Sequence, residues 1–334
     1  MIGHRMPECV DLIKSIQEKL PRVFFTEQTV LIIASTGTGL WEAAVRNTIN
    51  KKALNCVNGA FSDRFRMVTE MNGKANEVLE VPWGQPILPE QVAERLAGGG
   101  FDAVTLVHNE TSTGVTSPVK EIAEAVRSAP NGDEIMILVD SVSGLSGARI
   151  EFDAWDLDVV LSSSQKAFAL PPGIAFCAVS DRAMAKAQTV PNRGYYFDFI
   201  ALAKSMAKFQ TPATSPISLL YALNAQLEDM MAEGMENRFR RHLAMRDRTM
   251  EWATGHGFSL YAAPGYESPT VTCVNHYLDI DISALNNFLR RKGMIISNGY
   301  GQLKGVNFRI AHMGDATTAD MEELFAAMDE YLAN

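Results

Sequence analysis

Short apolar runs alternate with amphipathic stretches through the first two-thirds of the chain. Val30–Ala34, Ala53–Val57, Val78–Val81, Val104–Val107, Ile135–Val139, Val159–Leu161 and Ile174–Val179 each have the length and composition of a strand. Between them, Leu40–Asn50, Pro89–Ala97 and Pro118–Ser128 carry helical spacing. Continuous Val, Ile and Leu runs separated by helices predict a mainly parallel sheet covered on both faces, an α/β arrangement. After Pro216 the pattern changes. Ile217 to about Gly255 reads as one long or broken helix rich in Leu, Met, Glu and Arg. The remainder predicts strands at Thr270–Val274, Met294–Ile296 and Val306–Ile310, with helices at Ile282–Lys292 and Thr318–Leu332. The expected organisation is a large domain over residues 1–228 and a small α+β domain over residues 229–334, hinged by the long helix.

Composition narrows the function classes. A hydrophobic content of 47% with 21% charged residues is ordinary for a soluble globular protein of 334 residues. A net charge of -9 argues against nucleic acid and anionic membranes as main partners. No apolar run approaches the ~18 residues that span a bilayer. The first residues show no apolar signal core, so a cytoplasmic protein is the default expectation. Cys9, Cys56, Cys177 and Cys273 are scattered and the histidines lack ligand spacing, so neither a disulfide framework nor a metal site is expected.

In open α/β sheets, ligands gather at the carboxyl ends of strands, and three candidate groups fall there. The first is Ser35-Thr36-Gly37-Thr38-Gly39, between a strand and a helix. Free N–H groups and the helix dipole make such a turn an anion site, although an ordinary tight turn with a Thr cap has the same pattern. It is neither a P-loop nor a dinucleotide fingerprint. The second is Asp140, ending the apolar run Ile137-Leu138-Val139. A carboxylate there is costly unless paired, and a protonated pyridine nitrogen would pair it; a helix cap is the alternative. The third is Lys166 in Ser162-Ser163-Ser164-Gln165-Lys166, just past another apolar run. Such an amine either finds a partner or loses its charge, and a neutral amine is what a carbonyl cofactor needs to form a Schiff base. A surface lysine at a strand–loop junction is the alternative. Phosphate grip, carboxylate and lysine in that order match the needs of pyridoxal phosphate.

With these residues in place, the chain resembles the class V pyridoxal phosphate aminotransferases, in the alanine–glyoxylate, serine–glyoxylate and serine–pyruvate branch. The resemblance runs from Gly3-His4-Arg5 to Arg309-Ile310-Ala311-His312-Met313-Gly314. Its strongest pieces are Thr36-Gly37-Thr38-Gly39, Asn58-Gly59-Ala60-Phe61, His108-Asn109-Glu110-Thr111-Ser112-Thr113-Gly114, Val139-Asp140-Ser141-Val142, Ser164-Gln165-Lys166 and Gln210-Thr211-Pro212-Ala213-Thr214. It implies a fold type I transferase. Lys166 would be the imine lysine and Asp140 the partner of the pyridine nitrogen. Val142 and Phe61 would pack on the two ring faces, and Thr111 would reach the phenolic oxygen. Thr36, Gly37, Thr38 and Gln165 would hold the phosphate. Thr214 and Thr211 would reach it from a neighbouring subunit, which implies a homodimer with shared sites. Arg309 would bind the substrate α-carboxylate; alternation with Phe308 and Ile310 fits a surface arginine equally well.

The implied reaction moves an amino group from alanine, serine or aspartate to glyoxylate or pyruvate. The family usually carries an N-terminal arm ahead of Gly-His-Arg, whereas this sequence starts two residues before Gly3. A homologue that binds the cofactor without turnover is therefore one alternative reading. A cysteine desulfurase is another, although Gln165 stands where that group usually has His, and Cys177 and Cys273 lie in apolar strands.

Overall fold

The computed structural model describes residues 2–276 and 280–333. Its large sheet is built from β1 (Val30–Ile33), β2 (Lys52–Val57), β3 (Ala75–Glu80) and β4 (Ala103–Val107). A small hairpin, β5 (Asn109–Glu110) and β6 (Val115–Thr116), interrupts it. The sheet then continues with β7 (Met136–Asp140), β8 (Val159–Ser163) and β9 (Ala175–Val179). The order of the seven strands is β1-β9-β8-β7-β4-β2-β3. All neighbours from β8 to β3 are parallel, and β9 runs antiparallel to both β8 and β1. β1, β4, β7, β8 and β9 are buried at every position, as their unbroken apolar runs require, while the edge strand β3 is half exposed.

The helices that accompany this sheet are α1 (Pro7–Gln17), α2 (Leu20–Phe24), α3 (Gly37–Thr48), α4 (Ala60–Met71), α5 (Pro89–Leu96), α6 (Val119–Ser128), α7 (Asp181–Thr189) and α8 (Phe199–Met206). None is long and apolar enough to cross a membrane among the described residues. The long helix expected from Ile217 is two helices, α9 (Ile217–Glu233) and α10 (Met235–Gly255). The break is Gly234, whose φ of 79° and ψ of 136° leave the helical region.

Beyond α10 come β10 (Ser259–Leu260), β11 (Val271–Asn275), α11 (Ile282–Arg291), β12 (Ser297–Asn298), β13 (Asn307–Ala311) and α12 (Thr318–Leu332). The strands form an antiparallel sheet in the order β10-β11-β13-β12. Two expectations shift here. Met294–Ile296 is not a strand; the paired residues are Ser297 and Asn298, and Ile295 is exposed. Val306 sits in an exposed turn, and its strand begins at Asn307. One apolar core runs from Cys9 to Met230 around the large sheet, and a second runs from Met245 to Met328 around the small one.

Candidate active site

The parallel strands β1, β7 and β8 end at the same edge of the large sheet, and the loops that follow them enclose a cavity of about 290 Å³. After β1 the chain turns at Thr36 into α3. Thr36 is the helix cap, and its hydroxyl accepts from the Gly39 amide at 3.4 Å. A Cβ on Gly37 would stand 2.5 Å from Val142 Cγ2, so only glycine lets this turn approach the loop after β7.

Asp140 ends β7 and is buried. Its Oδ2 accepts from Trp41 Nε1 at 2.8 Å and its Oδ1 from the Val142 amide at 2.6 Å. No cation pairs with it among the described residues. Burial pushes its carboxyl up to about 7 despite those two donors, and the charge of Glu110 adds to the shift.

Lys166 follows β8 in a loop held by the Ser164 amide on Ile174 O, the Leu170 amide on Ser164 O and the Ala169 amide on Lys166 O. Arg238 Nη2 and Ser146 Oγ both donate to Ala167 O and brace the next residue. Burial lowers the Lys166 ammonium, the charge of Arg309 lowers it further, and Asp140 opposes. Lys166 forms no ion pair among the described residues.

The wall opposite is the β4–α4 region. Glu110 is wholly buried. It accepts from the amides of Ser62 at 2.9 Å and Phe61 at 3.2 Å, and from Ser112 Oγ at 2.6 Å and Ser62 Oγ at 3.0 Å. It thus caps α4 from outside the helix, and a Cβ on Gly59 would collide with its Cγ at 2.4 Å. Thr111 Oγ1 donates to Ser143 Oγ at 2.8 Å.

The class V aminotransferase family profile matches residues 67–311. The chain belongs to the class V aminotransferases. It is 37% identical over 321 residues to an uncharacterised aminotransferase of Methanocaldococcus jannaschii, covering 94% of this chain and 82% of that one. It is 32% identical to an L-aspartate–glyoxylate aminotransferase of Paracoccus denitrificans, over 95% of this chain and 82% of the relative. The solved alanine–glyoxylate aminotransferase of Nostoc superposes with a TM-score of 0.91 at 30% identity, covering 99% of this chain and 89% of that one. The protein is a pyridoxal phosphate-dependent transaminase of fold type I.

The residues of this aminotransferase fit that cofactor. Among the described residues, Ser163 Oγ and Gln165 Oε1 are buried without a hydrogen-bond partner beside the α3 N-terminus, and Asp140 has neutral donors but no ion pair. Thr36, Gly37, Thr38, Phe61, Thr111, Asp140, Val142, Gln165 and Lys166 all line the one cavity. Arg309 stands behind Thr111, donating through Nη1 to its carbonyl at 3.1 Å and through Nε to Asn298 O. Thr211 and Thr214 lie elsewhere. Thr211 is buried with its hydroxyl donating to Ala213 O, and Thr214 is exposed on the non-helical segment between Pro212 and Pro216.

The cavity also recruits residues that the sequence did not single out. Trp41 sits in the apolar stripe of α3 and reads as core, yet its indole N–H holds Asp140. Ser143 gathers Asn109 and Thr111, and its place in the Asp140-Ser141-Val142-Ser143 string was the available signal. Arg64 lines the cavity, and its phenol partner Tyr300 is 236 residues away in sequence.

Proposed function

We propose that this transaminase moves an amino group from a small amino acid, namely alanine, serine or aspartate, to glyoxylate or pyruvate. Glyoxylate is the acceptor in the names of several relatives. The observation that carries the reading is the pair at neighbouring strand ends: a desolvated lysine with a lowered pKa beside a buried carboxyl raised to about 7.

Thr36, Gly37, Thr38 and Gln165 would hold the phosphate with the free N–H groups and dipole of α3. Asp140 would keep a proton on the pyridine nitrogen, whose charge offsets the cost of burying the carboxylate. Val142 and Phe61 would bound the ring, and Thr111 would reach its phenolic oxygen. When bound, the cofactor supplies an electron sink for charge developing at the substrate Cα. Lys166 would take the Cα proton and return it, and its lowered pKa makes the neutral amine accessible. Arg309 would grip the α-carboxylate with a planar fork. The exposed, Pro-bracketed Thr214, with Thr211, supports a homodimer in which each protomer completes the other's phosphate site. Four buried free thiols support a cytoplasmic setting. Burial pushes Cys177 and Cys273 up to about 12, which disfavours a desulfurase because a reactive thiol needs a low pKa.

Purified holoenzyme should be yellow, and alanine added without an acceptor should shift its absorbance. Lys166→Ala should remove that absorbance and lower turnover by about 10²–10⁴-fold or more. Normal turnover in Lys166→Ala would overturn the assignment. A cofactor-bound protein silent towards every amino donor would favour a binding homologue without turnover.

A further inference from the structure

Among the described residues, every arginine that is not freely exposed pairs with a carboxylate, with two exceptions. The exceptions are Arg64, which lines the catalytic cavity, and Arg309, which donates to the carbonyl of the cavity-lining Thr111. The chain has 39 acidic residues against 30 basic ones, so a shortage of carboxylates does not explain it.

The two guanidinium groups share one aromatic ring. Arg64 Cζ lies 5.8 Å from the centre of the Tyr300 ring and Arg309 Cζ lies 5.6 Å from it, so they are no further apart than the sum of those distances. Arg64 Nη2 donates to the Tyr300 hydroxyl at 2.5 Å, its only hydrogen bond among the described residues. Tyr300 in turn stacks on Phe61 at 5.1 Å, and Arg64 Cζ sits 5.4 Å from the Phe61 ring. Rings hold the Arg64 fork in place while most of its N–H donors stay open. Two like charges so placed repel, and an anion with two carboxylates would satisfy both.

We propose that the amino donor of this site is a dicarboxylic amino acid of aspartate size, with its α-carboxylate on Arg309 and its side-chain carboxylate on Arg64. The assignment rests on the transaminase reading above and narrows its donor. Alanine or serine brings one carboxylate and leaves Arg64 unpaired. Aspartate and glyoxylate exchange amino and oxo groups to give oxaloacetate and glycine, with no external oxidant or reductant.

The test uses holoenzyme and two unreactive acids of equal carbon count, succinate and butyrate, as competitors of the amino donor. Succinate should bind at least ~10-fold more tightly than butyrate, the scale of one charge-assisted contact. Arg64→Gln should bring the ratio close to one, and Arg64→Lys, which keeps the charge but not the fork, should retain part of it. A wild-type ratio near one, or a ratio unchanged in Arg64→Gln, overturns the proposal. If Arg64→Gln does not fold, the wild-type ratio and Arg64→Lys decide it. Donor half-reactions separate the two readings. If none of alanine, serine and aspartate shifts the cofactor absorbance, the proposed donor reading falls. If alanine does so and the acids bind alike, only the dicarboxylate assignment falls.

Discussion

At the N-terminal end of the large sheet, Asp158 precedes β8 and is fully buried. Its oxygens accept from Arg127 Nη2 at 2.7 Å, Arg182 Nε at 2.8 Å, the Ile137 amide at 2.8 Å and Ser180 Oγ at 2.8 Å. Asp102, just ahead of β4, takes the amides of Asn50, Lys51 and Lys52 together with Lys186 Nζ. At the C-terminal end, Asp140 is buried almost as deeply and has two neutral donors and no ion pair among the described residues. The same residue type, on the same sheet, is closed at one end and open at the other. Burial therefore does not mark the site; burial without an ion pair does.

The contrast predicts opposite outcomes for the two carboxylates. Asp158→Ala would remove the buried carboxylate shared by Arg127 and Arg182, leave them only Asp156 as a carboxylate partner, and unpair the Ile137 amide; breaking a buried pair costs about 3–5 kcal/mol. A lower urea midpoint with unchanged cofactor absorbance is expected, and an unchanged midpoint would break the contrast. Asp140→Asn should cost roughly 1.5–3 kcal/mol of cofactor binding, the worth of a hydrogen bond to a charged group, and lower the rate further. In the cofactor-free protein its effect on stability reverses sign. The raised carboxyl holds a proton in the folded state that the unfolded chain releases at about pH 4, so this residue destabilises the fold progressively from about pH 4 up to about 7. Asparagine should remove that decline, read as a melting temperature that varies less over this window. A decline that persists in Asp140→Asn would assign it to other groups. The smallest effect is expected at Thr214, which would add a donor to the open end from a second protomer. Thr214→Val should weaken cofactor binding by about 0.5–1.5 kcal/mol without changing the urea midpoint. Full affinity in this variant would remove the shared-site assignment.

Much of the open end was legible in the sequence, because a charged residue terminating an unbroken apolar run is conspicuous. Asp140 after Ile137-Leu138-Val139 is of this kind, and Lys166 follows the run Val159-Val160-Leu161 after only the polar stretch Ser162-Ser163-Ser164-Gln165. The parallel core followed from the same runs. Helix α4 was missed for a physical reason. Its own N-cap, Gly59, has no side chain, and its capping acceptor is Glu110, 49 residues beyond Phe61. Its face is also blurred by exposed Met67 and Met71. The strand placed at Met294–Ile296 failed because hydrophobicity was the guide, whereas the ladder actually uses the polar pair Ser297 and Asn298. Arg64 and Tyr300 carried no local pattern, since only the folded chain brings helix α4 against the loop before β13.

Glu110 binds the turn after β4 and the first turn of α4 with one carboxylate, and Gly59 leaves no clearance between them. Thr111 and Phe61 are therefore rigidly linked, and neither backbone can be adjusted alone. Variation that retunes this pocket over generations has to act through side chains mounted on that fixed frame. Phe61, Arg64 and Tyr300 are side chains on that frame whose exchange should alter what the pocket accepts while the sheet, Lys166 and the Thr36 turn stay untouched.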